Sequence, residues 1–98
     1  MTVNKELNGS ELVVSVSGRI DTTTAPTLEA EIKESLDGVQ RLVLDIADVE
    51  YVSSAGLRVF LSTHKTMSKL GGMVIKNVSE SVKEIFEVTG FADILTIE

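Results

Sequence analysis

Two adjacent hydroxyls, Ser53 and Ser54, stand at the centre of the stretch Tyr51-Val52-Ser53-Ser54-Ala55-Gly56-Leu57-Arg58. An apolar run from Leu42 to Ile46 precedes them and reads as a strand, and a helical pattern follows from about Ala55. The hydroxyls therefore fall where a strand-to-helix loop becomes a helix N-terminus. Unpaired backbone N–H groups and the helix dipole favour negative charge at such a place. Two readings follow. Ser54, directly before Ala55-Gly56-Leu57, is placed to cap the helix, its oxygen accepting from backbone N–H groups. The same position suits a phosphate, whose roughly −1.5 to −2 charges a helix start accepts without unfolding. Nucleophilic catalysis is the poorest use of these serines. No Gly-x-Ser-x-Gly is present, and the single histidine, His64, lies ten residues further along the same helix, about 15 Å away at a rise of about 1.5 Å per residue.

Few other residues offer chemistry. Gly56 either eases the turn into the helix or leaves the backbone bare for a partner. Asp21, in Gly18-Arg19-Ile20-Asp21, either caps the next helix or sits beside Ser54, should the two loops meet at one sheet edge. A carboxylate there would orient the hydroxyl or a kinase-bound magnesium. Asp45 and Asp48 flank the end of the Leu42–Ile46 strand and read as strand-end and turn residues. His64 falls on an apolar helical stripe as a packing residue, with no second ligand at i±3 or i±4 to make a metal site. Gly71-Gly72 is a helix stop and not a phosphate loop. No catalytic constellation, metal site or cofactor motif emerges, so the chain reads as a binding protein and not an enzyme.

The elements that position these residues follow from periodicity. Val3 to Leu7 is a short strand, Asn8-Gly9 a hairpin turn, and Leu12 to Ser17 the partner strand, broken by Gly18. Ala25, Leu28, Ile32 and Leu36 recur at helical spacing, with Thr22, Thr23 and Thr24 offering caps, Pro26 acceptable in the first turn and Gly38 ending the helix. Leu42-Val43-Leu44-Asp45-Ile46 is nearly continuous in apolar character, as for a strand covered on both faces. Leu57, Phe60, Leu61, His64, Met67 and Leu70 mark a second helix. Met73 to Ile75 is a buried strand, Val82, Ile85, Phe86 and Thr89 mark a third helix ending at Gly90, and Ile94 to Ile97 reads as a closing strand. The order β-β-α-β-α-β-α-β predicts an α/β domain with a mixed, mostly parallel sheet and helices packed against it. Its ligand-facing edge should lie at the C-terminal ends of the parallel strands, where Tyr51–Arg58 falls.

Bulk properties narrow the function. The 98 residues make one domain, large enough for its own core. The longest apolar runs are four or five residues, so none spans a bilayer. There is no cysteine, hence no disulfide framework and no thiolate metal site, and the first six residues carry an acid and no apolar signal core. A cytoplasmic location is expected. Nine basic against fifteen acidic residues give a charge of −6, which repels nucleic acid and anionic lipid, and four aromatic residues offer little stacking surface for bases.

Three segments together resemble a known family. Gly18-Arg19-Ile20-Asp21 followed by Ala25 matches a Gly-x-[Leu/Ile]-Asp segment and first helix. Leu42-Val43-Leu44-Asp45 with Val49 and Val52 matches a central strand and loop. Ser53-Ser54-Ala55-Gly56-Leu57 matches the signature Asp-Ser-[Ser/Thr/Ala]-Gly-Leu. These belong to the STAS domains of bacterial anti-sigma factor antagonists, which the chain resembles over residues 1–98. The resemblance implies a mechanism. The unmodified antagonist binds an anti-sigma factor that is also a serine kinase of ATPase fold, so that a sigma factor is released. The kinase then phosphorylates the signature serine, which ends binding, and a phosphatase reverses the step. Carried onto this sequence, Ser54 is the phosphoacceptor, Asp21 the nearby acid, and Gly56 and Leu57 part of the docking surface. The chain departs from the signature at Ser53, where the family has Asp. The change removes a negative charge beside the acceptor and makes Ser53 a competing site. The partner-binding set is then Asp21, Ser53, Ser54, Gly56 and Leu57, on a protein expected to be a monomer when free. The resemblance also admits a STAS subunit with a structural or regulatory part in another assembly, such as a lipid transporter or a stress-signalling complex.

Overall fold

The hairpin comes first in the chain and fixes the sheet's edge. The computed structural model describes residues 1–98, and in it β1 (Thr2–Asn8) pairs antiparallel with β2 (Glu11–Ile20), Asn8 opposite Glu11. The two loop residues are thus Gly9 and Ser10, one position later than the turn read from the sequence. Gly9 takes φ +64° while Ser10 stays at negative φ, the pattern of a type II′ turn with glycine first.

The chain continues through α1 (Ala25–Lys33), β3 (Arg41–Val52), α2 (Ser54–Ser68), β4 (Met73–Lys76), α3 (Glu80–Thr89) and a 3₁₀ turn at Phe91–Asp93. The strands lie in the order β1-β2-β3-β4, with β2–β3 and β3–β4 parallel. Each parallel crossover advances one strand in the same direction. Crossovers of one hand then place their helices on the same face of the sheet. The core agrees: Leu12, Leu42 and Met73 lie side by side, as do Val14, Leu44 and Ile75, and on them pack Leu28 and Ile32 of α1, Phe60 and Met67 of α2, and Val82 and Phe86 of α3. Burying each of these side chains contributes about 1.5–3 kcal/mol relative to exposure. A T-shaped contact between Phe60 and Phe86, ring centroids 6.1 Å apart, joins α2 to α3.

The opposite face has no helix. It carries Val13, Val43 and Val74 in one row, flanked by the ion pairs Glu11–Arg41 (3.2 Å), Arg41–Glu98 (3.7 Å) and Lys76–Glu98 (3.5 Å). The Leu42–Ile46 run is therefore covered by helices on one face only, and long charged side chains neighbour its other face. At the sheet's edge Lys5 of β1 points toward α1, where it meets Glu31 at 2.8 Å and Glu34 at 3.0 Å. Hydrogen bonds to Glu31 and then Glu34 hold its ammonium above the usual lysine range.

Four boundaries differ from the sequence reading, each for a physical reason. Gly18 does not break β2; it sits at φ +99° beside a register shift, and the strand runs on to Ile20. The strand after α1 extends past Ile46 to Val52, because two irregularities each insert one residue of β3 against β2. Burial accordingly steps from Leu44 and Ile46 to Val49 and Val52, so the alternation of two is lost. Helix α1 stops at Lys33, leaving Leu36 half-buried in the turn that follows. The closing strand reduces to one parallel bridge, Ile75 to Ile97, in which the Ile75 N–H donates to the Thr96 carbonyl at 2.9 Å and the Glu98 N–H to the Ile75 carbonyl at 2.9 Å.

The end of α2 is set by Gly71 and Gly72. The Gly72 N–H donates to the Met67 carbonyl at 2.8 Å with φ +102°, closing the last turn. Gly71 lies against the loop before β3, where an added Cβ would fall 1.9 Å from the Gln40 carbonyl oxygen. Gly71→Ala should therefore destabilise the fold by about 1–3 kcal/mol in urea unfolding, whereas Leu70→Ala, at an exposed position, should change it by less than about 0.5 kcal/mol.

Candidate functional site

Strand β3 enters α2 with one residue between them. Val52 pairs with Ile20 at the C-terminal ends of β3 and β2. The Ser53 N–H donates to the Ile20 carbonyl at 2.8 Å, and the Ser53 carbonyl accepts the first helical hydrogen bond, from Leu57 at 2.9 Å. Because the strand persists to Val52, the last extended residue is Ser53 (ψ 175°) and the cap falls there, its Oγ accepting from the Gly56 N–H at 3.4 Å. The expectation that Ser54 caps the helix is corrected: Ser54 is the first helical residue, and it is exposed. Serine caps about as well as aspartate, so the departure from the signature at position 53 leaves the helix start intact. The two signature hydroxyls differ in consequence, Ser53 being half-buried and engaged and Ser54 open to solvent.

Gly56 and Leu57 do not present themselves as expected. An added Cβ on Gly56 would fall 2.7 Å from Ile20 Cγ2 and 2.8 Å from Val52 Cγ1. What approaches the bare glycine is the chain's own sheet, not a partner. Leu57 is 95% buried in the core and lends only an edge to the surface. Asp21 lies in the loop beside the junction, so the two loops do meet at one sheet edge. Its carboxylate faces its own turn: Oδ1 accepts from the N–H groups of Thr23 and Thr24, both at 3.0 Å. The Thr24 hydroxyl in turn accepts from the Asp21 N–H and donates to the Arg19 carbonyl, both at 2.8 Å. These bonds, the Thr24 N–H above all, hold the Asp21 carboxyl below the usual carboxylate range. The Asp21 carbonyl accepts from the Ala25 N–H at 2.8 Å, which leads the chain into α1.

Ser54 borders a shallow apolar groove between the start of α2 and the outer face of α3, with Tyr51, Leu57, Ile85 and Val88 as its apolar lining and Ser81 and Glu84 at its rim. Val88 is 81% exposed and Tyr51 38% exposed. The Arg19 guanidinium lies 4.5 Å over the Tyr51 ring centroid, an arrangement that stiffens the ring beside the groove. Helix α3 is set on this edge by its own start: the Ser79 Oγ accepts from the Val82 N–H at 3.4 Å and donates to the Val49 carbonyl at 3.3 Å. The sequence reading named Ile85 and Thr89 only as helix markers and did not bring α3 to the Ser54 edge. The signal for this placement is Val88, an apolar residue lying beside the Val82–Ile85–Phe86–Thr89 stripe and one more than the core requires.

The remaining candidates stay apart from this edge. Asp45 and Asp48 lie within β3, not at its end. The Asp45 Oδ1 accepts from the Ala47 N–H and from Asn77 Nδ2, both at 3.1 Å, bridging the irregularity in β3 to the residue after β4. His64 is half-buried on α2 with its Nδ1 unpartnered. No three His, Asp or Glu side chains converge as a metal site would require, and no helix is long and apolar enough to cross a membrane.

The comparisons with known proteins agree on one family. The STAS domain family model matches residues 2–98. The anti-sigma-B factor antagonist of Bacillus subtilis is 33% identical over 98 residues, covering 99% of this chain and 90% of that protein. A putative anti-sigma factor antagonist of Bordetella bronchiseptica is 36% identical over 88 residues, covering 88% and 76%. The crystal structure of an anti-sigma factor antagonist from Mycobacterium paratuberculosis, 31% identical, superposes with a TM-score of 0.88 over 98% of this chain and 83% of that one. With its mixed sheet, its three helices on one face and its serine-bearing junction, the chain belongs to the STAS domain family.

Proposed function

We propose that this protein is an anti-sigma factor antagonist that works by binding, and that phosphorylation of Ser54 switches it off. The unmodified form docks, through the start of α2 and the groove beside it, on an anti-sigma factor that is also a serine kinase of ATPase fold, and a sigma factor is released. The kinase transfers the γ-phosphoryl group of ATP to Ser54 Oγ; the hydroxyl loses its proton and ADP leaves. A phosphatase restores the hydroxyl.

The observation that carries this reading is the exposure of Ser54 at the first position of α2, on the border of an apolar groove. The hydroxyl beside it, Ser53, is held in the cap, which favours Ser54 as the acceptor. The physical switch follows from placement. A phosphate dianion at a helix start leaves the fold intact. The same dianion at the edge of an apolar docking surface must be desolvated when a partner binds, beside Glu84, which shares the groove. The cost falls on the complex and spares the free protein. Asp21 enters as the residue that shapes the neighbouring loop through Thr23 and Thr24.

Three outcomes are expected. Incubation with the cognate kinase and ATP places one phosphate on Ser54 by mass spectrometry; Ser54→Asp weakens partner binding at least about tenfold, an effect of about 1.4 kcal/mol, while Ser54→Ala binds and no longer switches. Phosphate on Ser53 alone, or full binding by Ser54→Asp, contradicts the assignment. Val88→Asp should leave unfolding free energy within about 0.5 kcal/mol of the parent and weaken docking by a similar tenfold in calorimetry. For Asp21, whose folded carboxyl lies below its ordinary value of 3.8, the charge stabilises the fold above that value and ceases to do so as the pH falls through the folded one. Asp21→Asn should therefore be less stable than the parent near about pH 7, with the gap closing as the pH falls below 3.8 in urea unfolding; a gap of constant size would show that charge plays no part.

A further inference from the structure

Arg58 stands one helical turn beyond Ser54 on the outer surface of α2, and both are exposed. Residues four apart on a helix are neighbours, with Cβ atoms about 5–6 Å apart. Helical Cα–Cβ bonds tilt toward the N-terminus, a direction in which an arginine at position 58 can reach Ser54. Of the nine Lys and Arg residues, Lys5, Lys33, Arg41 and Lys76 are engaged in ion pairs and Arg19 lies on Tyr51. Arg58, Lys65, Lys69 and Lys83 pair with no carboxylate, and of these four Arg58 is the one placed a single turn along α2 from Ser54. The acid across the shallow depression that Arg58 lines is Glu29 of α1, and it pairs with Lys33 at 3.5 Å. A free guanidinium, whose planar donors match phosphate geometry, is thus kept one turn from the proposed acceptor.

We propose that Arg58 receives the phosphate of Ser54 in an ion pair along α2, so that modification adds charge beside the groove and also engages a cation on the α1 side of the helix. The inference rests on Ser54 being the acceptor. It differs from the general welcome of a helix N-terminus because it depends on one side chain. The other charges near Ser54 are Glu84 on α3, the Asp21 carboxylate in the β2–α1 loop and Arg19 over Tyr51. All of them, and the helix dipole, are unchanged by a substitution at position 58.

The test installs phosphoserine at position 54 during translation, with no kinase involved. The second ionisation of the phosphate, ordinarily near about 6, is followed by ³¹P NMR in the parent, R58Q and R58K. A nearby cation favours the dianion, so the parent should titrate about half a unit below R58Q, a roughly threefold difference in proton affinity, with R58K between them. The difference should shrink in about 1 M salt. Thermal unfolding gives a second readout: phosphorylation should raise Tm more in the parent than in R58Q. Identical titrations and identical Tm changes in parent and R58Q would overturn the ion pair. A kinase that ignores Ser54 would instead overturn the functional reading while leaving the ³¹P comparison valid, so the two fail separately.

Discussion

The hydrogen bond from the Ser53 N–H to the Ile20 carbonyl is the constraint on which the site depends. It ties the start of α2 to the end of β2 across a junction only one residue long. The lack of a side chain at Gly56 lets the helix close onto Ile20 and Val52, and the Ser53 hydroxyl completes the first turn. The position of Ser54 is therefore fixed by backbone on one side and core packing on the other, and its hydroxyl is left to solvent. A βα junction with a longer loop would let the serine move, and a charge placed there would act on loop conformation. Here the charge can act only on what meets the surface.

The same edge assembles the rest of the site. Because β2 and β3 end side by side, the Asp21 turn and the Ser53 cap are neighbours. Because α3 starts on the Val49 carbonyl of β3 through Ser79, its outer face lies next to the start of α2, and the aromatic contact between Phe60 and Phe86 holds the two helices together. The groove between them is apolar inside and acidic at Glu84. The opposite sheet face, with its valine row and ion pairs, takes no part in positioning these residues. Separating a helix-covered face that builds the core from a sheet edge left open to solvent allows surface chemistry to change without cost to the core.

Much of this was legible in the sequence. The opening hairpin (to within one residue at its turn), the helical stripes on α2 and α3, and the apolar strand at Leu42 follow from local periodicity and turn chemistry, and they suffice to put Ser53 and Ser54 at a strand-to-helix junction. Two things were not legible. The second half of β3, Ala47 to Val52, steps its buried residues by three where bulges interrupt the pairing with β2, so it does not look like a strand. Misplacing that end shifted the cap from Ser53 to Ser54. The roles of Gly56 and Asp21 depended on what stands across from them. A glycine at a helix start reads the same whether a partner or Ile20 approaches it, and only the packed sheet decides. The groove depended on α3 meeting α2, a contact between elements far apart in the chain.

The central claim is that a phosphate on Ser54 changes the surface and not the fold. The most direct test compares ¹H–¹⁵N spectra of the unmodified protein with those of protein carrying phosphoserine at position 54. The account predicts shifts confined to the first turn of α2, the Asp21 loop and the outer face of α3, with the amides of β2, β3 and β4 unmoved. Shifts spread through the sheet, or loss of the α2 resonances, would contradict it.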